Sequence, residues 1–211
     1  NGVVYNEMKG AFSSPDEVLE REIMNHLFPD TTYGCESGGD PKNIPDLTYE
    51  NFLNFHRTYY HPSNSYIYLY GNMDMEEKLA FLDEHYLSHF DYLDVDSVIQ
   101  EQKAFGACRD VTLEYPVAEN EGEEDNTYLS YNMVVGNAAD SQMAMAFEVL
   151  DYALLSAPGA PLKQALLDVK AGKDVYGSYD DGILQPYFTV IAKGSNPDRK
   201  EEFVSVIRQV L

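Results

Sequence analysis

The 211 residues carry 14 Lys and Arg against 36 Asp and Glu, a formal net charge of −22. Phosphate-bearing partners must be met with basic side chains, so nucleic acid is set aside and an anionic membrane surface disfavoured. A hydrophobic fraction of 44%, with 13% aromatic residues, suffices for a packed core and argues against a disordered chain. The longest apolar runs, 66–70 and 143–147, are far too short to span a bilayer.

Residues 2–12 place Val4, Met8 and Phe12 at helical spacing, with Asn6 and Glu7 beside that stripe. Ser13-Ser14-Pro15-Asp16-Glu17 predicts a second helix start. Ser14 and Glu17 have capping-box spacing, Pro15 suits the first helical position, and acids fill the first turn. That helix carries Leu19, Ile23 and Leu27 and stops before Pro29. Residues 28–47, rich in Gly, Pro, Asp, Asn and Thr, read as a long loop, a feature uncommon inside a compact region and often functional. Residues 48–60 predict the next helix, with Phe52, Phe55 and Tyr59 as its buried stripe and His61-Pro62-Ser63-Asn64 ending it. Residues 65–70, β-branched and aromatic, predict a strand. After the turn at Gly71-Asn72, Asp74 caps a helix that carries Leu79, Leu82 and Tyr86.

Residues 91–107 show no long period and read as a linker. Strands are predicted over 110–117 and 127–135, either side of an acidic loop at 119–125. In the second strand Leu129, Tyr131 and Met133 alternate with Tyr128, Ser130 and Asn132. Asp140 caps a long helix reaching Leu155, which Pro158-Gly159-Ala160-Pro161 breaks, and Pro161 starts a short helix with Leu162, Leu166 and Leu167. Strands follow over 174–179 and 185–193, joined at Asp180-Asp181-Gly182. Asn196-Pro197-Asp198 then starts a last helix with Phe203, Ile207 and Val210 on one face. The order predicts an α+β fold of largely antiparallel sheets with helices packed on one face. The expected division is residues 1–95, a linker at 96–109, and residues 110–211.

Two cysteines, Cys35 and Cys108, are too few for a disulfide framework or a cysteine zinc site. They lead us to expect a reduced, intracellular and cytoplasmic chain, a single bridge between them being the alternative. The sequence starts at Asn1 without a signal-like segment and ends at Leu211 inside a predicted helix, so it reads as a piece of a longer protein.

Of the five histidines, His26, His56, His61, His85 and His89, no pair falls in an H-E-x-x-H or H-x-x-E-H string. His85 and His89 stand four apart with Glu84 before them, but no Glu lies between, and the segment reads as the polar end of an amphipathic helix. His56 and His61 straddle a helix end and read as cap and surface groups. No G-x-S-x-G elbow or phosphate loop is present, and Ser37-Gly38-Gly39-Asp40 is too short and acidic to cradle phosphate. By pattern alone Glu7 is a half-exposed carboxylate on a helix surface.

Longer strings carry more. Gly2-Val3-Val4-Tyr5-Asn6-Glu7-Met8-Lys9-Gly10-Ala11-Phe12-Ser13-Ser14-Pro15 resembles the segment that follows the zinc helix in presequence-protease-type members of the pitrilysin/insulinase (M16) family of zinc metallopeptidases. Ser37-Gly38-Gly39-Asp40-Pro41 and Ile44-Pro45-Asp46-Leu47-Thr48 resemble the loop after it. Tyr60-His61-Pro62-Ser63-Asn64-Ser65, leading to Tyr70-Gly71-Asn72, resembles the next helix-to-strand passage, and Pro158-Gly159-Ala160-Pro161-Leu162 the second domain. The resemblance implies a clamshell of repeated α+β domains around a chamber for unfolded peptides.

It also implies a Zn²⁺ site with two His ligands and a Glu base on an H-x-x-E-H helix, and a third ligand that maps onto Glu7. That helix would precede Asn1, and an Arg and Tyr of the opposite half would follow Leu211. The resemblance thus makes residues 1–95 the end of a first peptidase domain and 110–211 the start of a second. The expected partners are unstructured, basic peptides and the remaining domains of the parent, with no nucleic acid and no membrane. The piece alone is expected to be inactive. The alternatives are a non-catalytic homologue acting as scaffold or peptide-binding partner, and an unrelated acidic α+β binding module.

Overall fold

The computed structural model describes residues 2–117 and 122–211. Its helices are α1 (Val3–Ala11), α2 (Pro15–Leu27), α3 (Tyr49–Tyr59), α4 (Met75–His85), α5 (Ser141–Asp151), α6 (Pro161–Asp168) and α7 (Lys200–Val210). Its strands are β1 (Thr127–Val134), β2 (Asp174–Asp180) and β3 (Tyr187–Ser195). The chain forms two compact units. One runs from the start of the described chain to Gly39 and resumes from Gln100 to Leu211; the other spans Asp40–Ile99.

In the first unit the sheet order is β1-β3-β2, antiparallel throughout. The alternation expected in β1 is present, because pleating sends successive side chains to opposite faces. Leu129, Tyr131 and Met133 stand across from Ala192, Val190 and Phe188 of β3, and Val175 of β2 joins them on the same face. Against that face pack Leu155, Leu162 and Leu166, together with Phe203 and Ile207 of α7, all fully or nearly buried. The α+β antiparallel architecture is thus as the pattern predicts.

The other face of the sheet carries Thr189 and Ile191, which are also buried. Helix α2 lies against this side through β1, and its Ile23 is buried. Beyond α2, Phe28 is fully buried, with its ring edge-on to Tyr33 at 5.9 Å and to Tyr187 at 6.2 Å. Helices α6 and α7 thus pack on one face of the sheet, as expected, and α2 meets β1 on the other.

Several helix starts follow their sequence signals. Thr48, Asp74 and Asp140 accept hydrogen bonds at 3.0–3.1 Å from the backbone N–H groups of Asn51, Glu77 and Met143. Ser14 stands at the N-cap of α2 with extended backbone, but its side chain makes no capping bond, so the expected capping box does not form. The long helix expected to reach Leu155 ends at Asp151 and widens into a π turn, Tyr152–Ser156, closed by Ala157 N–H to the Tyr152 carbonyl at 2.7 Å. The wider turn places Leu155 in the core.

Two expected strands are not laddered. Residues 65–70 form no strand with any described residue, and Tyr66, Tyr68 and Tyr70 are exposed. Residues 110–117 form no strand either, and are tied down by side chains: Tyr115 O–H donates to the Asn126 carbonyl, and Asp110 pairs with Lys200. Composition favours an extended conformation, but a strand also needs a neighbour's N–H and C=O groups. Part of the acidic loop expected at 119–125 lies outside the described residues.

The predicted linker is firmly held where it meets the first unit. Gln102, buried, accepts from Asp30 N–H at 2.9 Å and donates to the Asp30 carboxylate at 2.7 Å. Its backbone N–H donates to Gln185 Oε1 at 2.5 Å, and Gln185 donates back to its carbonyl at 3.2 Å. In the second unit α3 and α4 bury no residue, and Phe52 and Phe55, read as a buried stripe, are exposed. A helical period marks an apolar face but does not supply what covers it.

Candidate functional site

Glu7 stands in the middle of α1, exposed, and makes no hydrogen bond or ion pair with any described residue. At helical spacing its neighbours are Val3, Val4, Gly10 and Ala11, all exposed. The carboxylate therefore stands on an apolar, uncovered face rather than a charged one. Of the apolar stripe Val4, Met8 and Phe12, Val4 is 55% exposed, while the other two are partly buried.

Two side chains seat the helix. Met8 lies so close over the loop after α2 that a Cβ placed on Gly38 would sit 2.2 Å from its sulfur. At the end of the helix, the Arg21 guanidinium of α2 stands 3.9 Å over the Phe12 ring. The corner between α1 and α2 is closed by Ser13 Oγ donating to the Gly10 carbonyl at 2.6 Å.

The start of α2 is pinned to the sheet by Asp16. Its carboxylate receives Lys193 Nζ at 2.8 and 3.1 Å, and the hydroxyls of Tyr176 at 3.3 Å and Tyr128 at 3.5 Å. The Asp16 hydrogen bond, foremost, raises the Lys193 pKa. Burial, then the Asp16 charge and hydrogen bond, push the Tyr176 phenol up to about 12. Tyr187 is likewise pushed up to about 12, by burial and then by Asp180, whose carboxylate its hydroxyl meets at 3.1 Å. Burial, then Glu17, Asp16 and Asp180, raises Glu20.

Among the described residues no three His, Cys, Asp or Glu side chains cluster closely enough to hold a metal. His85 and His89 stand at the end of α4 and in the following 3₁₀ turn, and His85 lies against the Phe81 ring at 4.6 Å. His61 caps its own turn by accepting from Ser63 N–H at 3.2 Å. Both cysteines are exposed and free. Glu7 fits the chemistry of zinc as one oxygen donor, and further donors have to come from outside the described residues. An open cleft of about 450 Å³ lies where the π turn and α6 meet the β2 edge, lined in part by Lys163, Gln164, Tyr176 and Gly177.

Residues 46–211 match the family described as the peptidase M16 inactive domain. The chain belongs to the M16 peptidase family. It is 49% identical over 211 residues to protein HypA of Clostridium perfringens, covering 100% of this chain and 22% of that protein. It is 37% identical to presequence protease 1, chloroplastic/mitochondrial, of Arabidopsis thaliana and 33% identical to the mitochondrial presequence protease of Xenopus laevis. Each match covers 100% of this chain, and respectively 20% and 21% of those proteins. The M16 chain thus spans about a fifth of the length of these relatives.

A crystal structure described as an M16-like peptidase, from Alicyclobacillus acidocaldarius, shares the fold with a TM-score of 0.59 at 18% identity. The likeness covers 99% of this chain and 50% of that one. The family resemblance carried by the sequence strings and the α+β class are both upheld. The domain match begins at residue 46, whereas the whole-chain matches include the segment around Glu7.

Sequence reasoning did not find Asp16 and Gln102, the two side chains that fasten α2 and the linker. Asp16 was legible only as a first-turn acid. The usable signal was Lys193, a charged residue on the strand face that also carries Thr189 and Ile191.

Proposed function

We propose that this M16 chain is part of the chamber wall of a zinc-dependent metalloendopeptidase that degrades unstructured peptides, and that Glu7 donates one oxygen to the metal. The observation that carries the reading is a carboxylate without a partner among the described residues, on an exposed apolar helix face, in a segment that aligns with peptidase relatives. A carboxylate left without a local partner on such a face is suited to being covered by another segment and engaged there. Zinc in such a site supplies a water of lowered pKa and polarises the peptide carbonyl. The residues of this chain present and steady the ligand: Met8 and Phe12 seat α1, and Asp16 holds α2 to the sheet.

The remaining ligands and the general base are assigned to other parts of the parent, so the isolated chain is inactive. Description of the matched domain as inactive favours the same division of labour, with 46–211 as scaffold. We place the boundary between the two peptidase domains in the stretch 96–109. The net charge of −22 favours basic peptides, drawn by long-range attraction, and relatives named presequence proteases support peptides as the substrate class. Free, exposed cysteines support a reduced compartment inside the cell.

The test is hydrolysis of an unstructured basic peptide by the full-length parent. Chelation abolishes turnover and zinc restores it, Glu7→Gln lowers kcat/KM by more than about 100-fold, and the 211-residue chain alone turns over nothing. Full activity of Glu7→Gln contradicts the assignment.

A further inference from the structure

We infer that Gly38 is a positioning residue for metal ligation: it is the seat on which Met8 holds α1, and with it Glu7, at one height and rotation. The inference rests on the reading of Glu7 given above. Met8 follows Glu7 directly, so whatever lifts or turns Met8 moves the carboxylate with it. The fit at the seat is close. A Cβ on Gly38 would lie 2.2 Å from the Met8 sulfur, 2.8 Å from its Cε and 3.4 Å from its Cγ. The thioether therefore runs along the bare backbone of residue 38, and any side chain there displaces it.

The seat is itself braced. Gly38 N–H donates to Glu36 Oε1 at 3.4 Å, and Gly39 N–H closes a turn on the Glu36 carbonyl at 3.1 Å. Further back in the same loop, Tyr33 accepts from Leu184 N–H at 3.1 Å beside the buried Phe28 ring. Ring contacts thus lead from Tyr187 of the sheet through Phe28 to Tyr33, and the loop that Tyr33 anchors runs on to Gly38, where Met8 rests. Helix α1 buries no residue of its own, so its placement depends on such point contacts. Ligand geometry tolerates little error, and shifts near 1 Å weaken a metal site severely.

Gly38 does not have the left-handed φ of Gly39, so alanine adopts its backbone without strain. The atom that must yield is the tip of a flexible side chain, which lets the fold survive while the seat is lost.

The experiment uses the full-length parent, with zinc affinity and zinc release measured by chelator competition and the melting temperature of the metal-free protein measured beside them. Gly38→Ala and Met8→Ala should each weaken zinc binding about 10-fold, with the metal-free melting temperature nearly unchanged. The double variant should be no weaker than either single one, because both remove one contact. Lys9→Ala, an exposed position on the same helix but off the face that carries Glu7, should bind zinc as the wild type does. Wild-type zinc affinity in Gly38→Ala, while Glu7→Gln loses zinc, overturns the seat and leaves the ligand assignment standing. Wild-type affinity in Glu7→Gln overturns both. The Met8→Ala protein decides the matter if Gly38→Ala fails to fold: full zinc affinity there overturns the seat.

Discussion

Asp16 gathers a lysine and two tyrosines from strands more than a hundred positions away, and one of those tyrosines, Tyr176, reports its surroundings by titration. Tyr176 and Tyr187 have folded pKa values of about 12, above the ordinary phenol value of 10. The folded state therefore binds more protons than the unfolded chain between those values, so their contribution is full below pH 10 and is lost as pH rises toward 12. Phenolate absorbance should show a late-titrating component that shrinks in Tyr176→Phe and in Tyr187→Phe. In Asp16→Asn the Tyr176 phenol should titrate lower, yet stay above 10, because burial is the larger cause. A late component of undiminished size in both variants contradicts the assignment; a smaller remainder is expected from Tyr179, which burial also raises. None of this network was legible in local pattern: periodicity marks the face a residue occupies, whereas the partner across that face is set by packing between distant elements.

At the scale of elements, what the sequence encodes locally is what came through. Caps at Thr48, Asp74 and Asp140, Pro161 at a helix start and the alternation of β1 are each a residue acting on its own few neighbours. Strands 65–70 and 110–117 failed because a ladder needs a second chain segment, which composition cannot supply. The same contrast predicts where substitutions hurt. Leu162→Ala and Phe203→Ala empty fully buried positions between helices and sheet and should each cost about 2–5 kcal/mol in urea unfolding. Phe52→Ala on α3, where the ring is 66% exposed, should stay within about 0.5 kcal/mol. Equal effects at the two kinds of site would contradict this account of the core. Gly177→Ala belongs with the costly group, since its Cβ would sit 2.2 Å from the Thr189 carbonyl oxygen and 2.5 Å from Leu155 Cδ1.

Across the whole molecule, burial is concentrated on β3 and the helices packed on its sheet, while α3 and α4 bury nothing. Amide hydrogen exchange should therefore be slowest along β3 and roughly 100-fold or more faster in α3 and α4. Uniform protection would contradict the division into a cored unit and an uncovered one. The candidate site follows the same logic. Glu7 was legible through a string of residues that resembles a family, and it stands in the structure as an acid without a partner among the described residues, on a face that none of them covers. The remaining donors could not be read from this chain, because one donor does not make a metal site. The most direct measurement is anomalous scattering at the zinc edge from crystals of the full-length parent. A zinc ion is expected about 2.0–2.2 Å from a carboxylate oxygen of Glu7; a bound zinc whose ligands leave Glu7 out would contradict the assignment.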